Sequence, residues 1–191
     1  TCTTATHAAA SSTVSVTNID VLTGTLANGY AYSPMIDITA GDYFTCVLFG
    51  NGRIKCWGTN NSGYALLGSG SAAHATIPGF FEGLSRSVTS LSCGTSTCCA
   101  GDAGAVKCWG TNGGAFGDGT STGSNSPVMA IGLSSGVLKV STVGNITNAI
   151  LQDGTMRNWS GAGATPTTVA GLSNGVSEAP PGSAQKCYIV S

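Results

Sequence analysis

The sequence predicts an all-β chain built from four antiparallel repeats. Three observations carry that reading. The composition is rich in Gly, Ser and Thr, with 29 glycines in 191 residues, 8% charged and 41% hydrophobic residues, weakly charged yet too apolar for disorder. A hairpin-like segment recurs along the chain with constant internal spacing, and cysteines or asparagines stand at its equivalent positions.

The first copy runs over residues 38–58 (ITAGDYFTCVLFGNGRIKCWG), the second over 91–110 (LSCGTSTCCAGDAGAVKCWG) and a diverged third over 141–160 (STVGNITNAILQDGTMRNWS). Ten positions separate Cys46 from Cys56, Cys98 from Cys108, and Asn148 from Asn158. Folding each segment about its midpoint places Asn51, Asp102 or Asp153 at the tip, close to Gly52, Gly104 or Gly154, where a three-residue hairpin loop needs positive φ. The same folding sets Leu48 opposite Ile54, Ala100 opposite Val106 and Ile150 opposite Met156, with Val47, Cys99 and Ala149 on the other side facing Lys55, Lys107 and Arg157.

Cysteines opposed in a non-hydrogen-bonded antiparallel pair lie about 4.5 Å apart at Cα, within reach of a disulfide. Cys46–Cys56 and Cys98–Cys108 are therefore the expected bonds, and side-chain hydrogen bonding between Asn148 and Asn158 is the expected substitute in the third hairpin. The segment from Gly182 to Cys187 repeats the spacing from Gly41 to Cys46, so a fourth repeat is expected, closed by a return strand around Cys2 with a Cys2–Cys187 bond. Cys93–Cys99 then uses the last two of the eight cysteines. One domain over 1–191 is expected, with repeats at roughly 38–90, 91–140, 141–178, and 179–191 joined to 1–37.

The run from Cys98 to Gly110, followed by Thr111 and Asn112, Gly117 to Gly119, Pro127 and Gly132–Leu133, resembles the regulator of chromosome condensation type of β-propeller repeat. The first copy keeps Cys46 to Gly58, Thr59, Asn60, Gly68, Pro78 and Gly83–Leu84; the third keeps Trp159, Pro166 and Gly171–Leu172. The resemblance covers about 150 residues and implies four-stranded blades, in a family whose usual ring has seven. The four repeats here are equally compatible with a closed ring, two chains forming one ring, or an open stack, the last blade being completed by the N-terminal strand of the same chain or of a neighbour. The resemblance also implies that Trp57, Trp109 and Trp159 pack between blades rather than present stacking surfaces.

Several functions lack the residues they need. A net charge of −1 with seven scattered Lys and Arg leaves no phosphate-binding stripe, so nucleic acid is not an expected partner. His7 and His74 lie in connecting segments without a marked nucleophile, Asp102 and Asp153 have turn roles, and Asp118 sits in a GDG turn, so no catalytic site is expected. Neither a cofactor nor a metal site is expected, and eight cysteines without a CxxC pair point to disulfides in an oxidising, secreted or cell-surface setting, a leader having been removed ahead of Thr1. The Lys55, Lys107 and Arg157 column reads as a solvated strand face ahead of a ligand rim. Asn60, Asn145 and Asn158 head glycosylation sequons.

Two functional readings remain. The first is a non-enzymatic subunit of an extracellular fibre or surface assembly, polymerising head to tail by strand complementation. The alternative is a secreted binding module for a protein or glycan, to which Tyr30, Tyr32, Tyr64, Phe80, Phe81 and Phe116 in connecting segments would contribute.

Overall fold

A computed structural model describes residues 11–17, 23–31, 33–60, 63–68, 73–172, 175–178 and 189–190, with backbone alone for 11–17, 23–31, 177–178 and 189–190. The chain divides into two compact units, Thr1–Met35 and Ile36–Ser191. The first holds a hairpin of β1 (Ser11–Thr17) and β2 (Thr23–Ala31), antiparallel and interrupted by a register shift between Ser12 and Val14.

The second unit is a stack of antiparallel sheets. The first sheet runs in order through β3 (Met35–Ala40), β4 (Phe44–Phe49), β5 (Ile54–Gly58) and β6 (Ala75–Phe80). The second is β7 (Val88–Cys93), β8 (Thr97–Asp102), β9 (Ala105–Gly110) and β10 (Ser124–Met129). The third is β11 (Val137–Val143), β12 (Ile146–Leu151), β13 (Met156–Ser160) and β14 (Thr167–Thr168). A two-stranded sheet of β15 (Val176–Glu178) and β16 (Ile189–Val190) follows. These are propeller-type blades, each a meander in which consecutive strands pair.

The central hairpins follow from their turns. In the first blade Leu48 faces Ile54, and beyond them the Phe49 N–H bonds the Arg53 carbonyl, leaving Gly50, Asn51 and Gly52 as a three-residue loop. The third blade does the same with Ile150 facing Met156 and Gln152, Asp153 and Gly154 in the loop. The second blade departs from this. Asp102 faces Ala105, so only Ala103 and Gly104 make the turn, both with positive φ, 53° and 81°, as in a type I′ turn.

One residue fewer in that loop moves the register by one. Cys99 faces Cys108, Ala100 faces Lys107 and Gly101 faces Val106. The expected Cys98–Cys108 and Cys93–Cys99 bonds are therefore replaced by Cys99–Cys108, at a sequence separation of 9, and by Cys93–Cys98, which bridges β7 and β8. The expected partners Cys46 and Cys56 are bonded, at a separation of 10 across the longer loop. Cys2 and Cys187 lie outside the described residues. In the third blade Asn158 Nδ2 donates to Asn148 Oδ1 at 2.7 Å, so an amide hydrogen bond stands where the others carry sulfur.

Because successive strand residues point to opposite faces, the adjacent Cys98 and Cys99 serve different cores. Cys98, Leu91, Ala100 and Trp109 join Phe44, Cys46, Leu48 and Phe81 of the first blade in one buried cluster. Cys99, Val106 and Cys108 join Val140, Ala149 and Trp159 of the third in another. Ile150 and Met156 start a third cluster with Val176 of β15.

Candidate binding cleft and the contacts between blades

The blades are joined by a repeated set of polar contacts. Trp109 donates its indole N–H to the Leu66 carbonyl of the preceding blade at 3.1 Å, and Trp159 to that of Ala115 at 2.7 Å. Both tryptophans are buried, and Trp57 of the first blade is half-buried. At the inner strands, Thr39 Oγ accepts the Cys93 N–H at 2.9 Å, and Ser92 Oγ accepts the Thr142 N–H at the same distance. Ser141 occupies the matching position in the third blade, where its buried hydroxyl has no hydrogen-bond partner among the described residues.

The loops after the third strands of the first two blades are organised by asparagine; the third blade has Ala162 at that position. Asn112 Oδ1 accepts the N–H groups of Gly114 and Phe116, while its Nδ2 donates to Asp118. Asn60 Oδ1 accepts the Leu67 N–H and its Nδ2 donates to the Ala73 carbonyl. Buried and engaged in this way, Asn60 is unavailable as a sugar acceptor, and Asn158 is half-buried and bonded to Asn148. Asn145 is the exposed member of the three sequon asparagines.

Between the tip of the first hairpin and the segment leading into β7 lies a cleft of about 80 Å³. Ile54, Phe81 and Val88, all buried, form its floor, and Arg53, Glu82, Ser85 and Arg86 its rim. Gly52 lets the walls approach: a Cβ there would sit 2.3 Å from the Arg86 carbonyl oxygen. Ligand pockets for drug-sized molecules are several times larger, about 300–1,000 Å³, so this volume suits one inserted side chain.

A buried carboxylate fixes the cleft wall. Asp102 accepts hydrogen bonds from the Ser85 N–H at 3.1 Å and from the Ser85 hydroxyl, and pairs with Lys107 Nζ at 2.8 Å. Burial works to raise the Asp102 carboxyl, but hydrogen bonds from Lys107 and Ser85 more than reverse it, leaving its pKa below the ordinary value. The Ala103 N–H bonds the Ser87 carbonyl at 3.1 Å, tying the second hairpin turn to the same segment. Beside the rim, the Arg53 guanidinium lies 3.5 Å from the Phe80 ring centroid and Lys55 Nζ 4.6 Å from it, so two cations flank an exposed aromatic ring.

The residues singled out from sequence scatter against this geometry. Lys55, Lys107 and Arg157 each have a local partner, Phe80, Asp102 and Thr168, rather than forming one rim. His74 Nδ1 accepts the Asn60 N–H and Asp153 caps Thr155, so both act as loop supports. Of the loop aromatics, Phe81 and Phe116 enter the cores, Phe80 stays exposed, and Tyr64 is half-buried. His7 and the side chains of Tyr30 and Tyr32 lie outside the described residues. Sequence reasoning missed the Ser85–Asp102–Lys107 network; the signal was an acid and a base five residues apart across a two-residue turn.

Residues 35–63 match the model of the regulator of chromosome condensation (RCC1) repeat. This stretch is similar to an RCC1 repeat. The stacked sheets are similar in fold to solved structures. Human WBSCR16 superposes with a TM-score of 0.64 at 17% identity, over 77% of this chain and 40% of that one. Prp20p from Saccharomyces cerevisiae, whose binding properties to Gsp1p and histones were described with its structure, superposes with a TM-score of 0.63 at 20% identity, over 78% of this chain and 40% of that one. The yeast RCC1 protein Prp20 bound to Kap60 gives the same TM-score and identity, with 38% of its chain covered. The chain thus spans about two fifths of the length of these proteins, and the likeness is one of fold.

Proposed function

We propose that this chain is a non-enzymatic protein-binding module whose RCC1-type blades serve as a rigid frame and whose cleft between the first two blades receives a side chain of the partner. The observation that carries the reading is the division of labour in the blades. Trp109, Trp159, the six bonded cysteines among the described residues and the Thr39 and Ser92 hydroxyls are engaged within and between blades, while Arg53, Glu82, Arg86 and the exposed Phe80 gather around a small opening braced by Asp102. Rigid support of an arginine and aromatic patch is how protein interfaces concentrate affinity. The protein-binding properties described for Prp20p support the same use of the fold. Three disulfides among the described residues support an oxidising, secreted or cell-surface setting.

The test is photo-crosslinking from defined positions. A crosslinking residue at Arg86 or Glu82, exposed to the native surroundings of the protein, should yield an adduct of one constant mass, and the same residue at Thr168 on the third blade should not. Equal adducts at all three positions, or none at the cleft, would remove the reading.

A second reading, a fibre or surface-assembly subunit that adds to copies of itself, is supported by a different observation. The β15–β16 pair repeats the register of β11–β12, with Val176 facing Val190 and Glu178 facing Ile189 as Val137 faces Leu151 and Lys139 faces Ile150. Counting back from Ile189 sets Cys187 at the sequence position of Cys46 and Cys99, where a third strand would carry its partner. A strand bearing Cys2 from a second copy would make that bond intermolecular. Electrophoresis without reductant decides: a ladder that collapses on C2S supports the assembly, and a single monomer band excludes the covalent form. A glycan ligand is the remaining alternative, and a carbohydrate array would detect it.

A further inference from the structure

We propose that the core between the first two blades is a latent zinc site: when the chain is reduced, Cys46, Cys56, Cys93 and Cys98 bind one Zn²⁺ through four thiolates. This inference is independent of the binding cleft. The sulfurs of Cys46, Cys93 and Cys98 all lie within 4.8 Å of one another, and Cys56 sits directly opposite Cys46. Two disulfides from different sheets are therefore in contact, with β4 and β5 supplying one and β7 and β8 the other. A tetrahedral site with Zn–S bonds of about 2.3 Å needs sulfurs roughly 3.8 Å apart, so once the disulfides open the sulfurs of Cys46, Cys93 and Cys98 already stand near that spacing, and Cys56 completes the set by turning in from its place opposite Cys46.

The chemistry balances in both directions. Two equivalents of a dithiol reductant each pass two electrons and two protons to a protein disulfide, become cyclic disulfides, and leave four thiols. Zinc then displaces four protons. Four thiolates in an apolar core are costly alone, and the divalent ion offsets half of their negative charge. A disulfide oxidant reverses the sequence, taking four electrons and releasing the ion.

The third blade shows that the frame does not require sulfur at this position. Its hairpin closes in the same register through the Asn148–Asn158 hydrogen bond. Reduction therefore removes cross-links from blades whose geometry can persist without them.

The test uses the full chain with C2S, C99N, C108N and C187S, the two asparagines copying the third blade and leaving only the four proposed ligands. After reduction, one equivalent of Co²⁺ should give thiolate-to-cobalt charge transfer and the absorption of a four-coordinate ion, be displaced by one equivalent of Zn²⁺, and be lost in C93S. In the unaltered chain, reduced and then supplied with Zn²⁺, Cys46, Cys56, Cys93 and Cys98 should resist iodoacetamide while Cys99 and Cys108 are alkylated. Oxidised glutathione should return the ion to solution. The proposal is overturned if the reduced chain shows no such cobalt spectrum, whether or not its β-sheet circular dichroism persists, if C93S binds as well as its parent, or if zinc leaves Cys46, Cys56, Cys93 and Cys98 as reactive as Cys99 and Cys108.

Discussion

Trp159 reaches back from the third blade and gives its indole N–H to the Ala115 carbonyl of the second, 2.7 Å away. The same acceptor takes the Thr147 hydroxyl at 2.8 Å, so one loop carbonyl receives two groups from the next sheet. Trp109 repeats the reach toward Leu66 and packs against Phe81, the rings tilted by 45° with centroids 4.4 Å apart. Blade spacing is thereby set by polar contacts inside an apolar core.

Replacing Trp159 separates these contributions. W159F keeps most of the buried area and leaves Ala115 with Thr147 as donor, so it should lower stability by about 1 kcal/mol, whereas W159A opens a cavity and should cost about 3–5 kcal/mol. W57A, at a half-buried site, should cost clearly less than W159A. Urea denaturation of the three variants measures the order, and equal losses for W57A and W159A would contradict it.

Ala103 is the one described non-glycine residue with positive φ, at 53°. An L-alanine pays roughly 1–2 kcal/mol there, while asparagine followed by glycine is favoured in a type I′ turn. A103N should therefore raise the thermal midpoint, by about 1 kcal/mol of stability. A lower midpoint would show that the turn is not the two-residue form.

Asp102 makes acid stability testable. Its pKa is lowered in the folded chain, so its contribution is complete above the unfolded carboxyl value, about 3.9, and is lost as pH falls through the folded value. D102N should be less stable than the parent at pH 7, and its stability should fall less steeply with acid below about pH 4. Parallel acid curves for the two proteins would remove the ion pair from this account.

The inner-strand hydroxyls offer a paired comparison. S92A leaves the buried Thr142 N–H without its acceptor and should cost about 1–3 kcal/mol. S141A removes a hydroxyl that has no partner and should be neutral within about 0.5 kcal/mol or stabilising. Should S141A be as damaging as S92A, a donor from a following blade reaches Ser141 in solution.

Much of the architecture was legible in the chain because a hairpin's two faces are written locally. Gly52 and Gly154 mark three-residue loops, and from them the pairs Leu48–Ile54, Ile150–Met156 and Asn148–Asn158 follow by counting. The binding cleft was not legible. Ser85 meets Asp102, and Gly52 meets Arg86, only because one hairpin tip lies against the connection into the next blade.

The sequence by itself determined the repeat, the strand polarity and the Cys46–Cys56 bond, since those depend on spacing within one turn and its two arms. Only the folded stack decided which of the neighbouring Cys98 and Cys99 serves which core. Alternating side chains send them to opposite faces, and the two-residue Ala103–Gly104 turn, one residue shorter than its counterparts, selects Cys99 for Cys108 and Cys98 for Cys93.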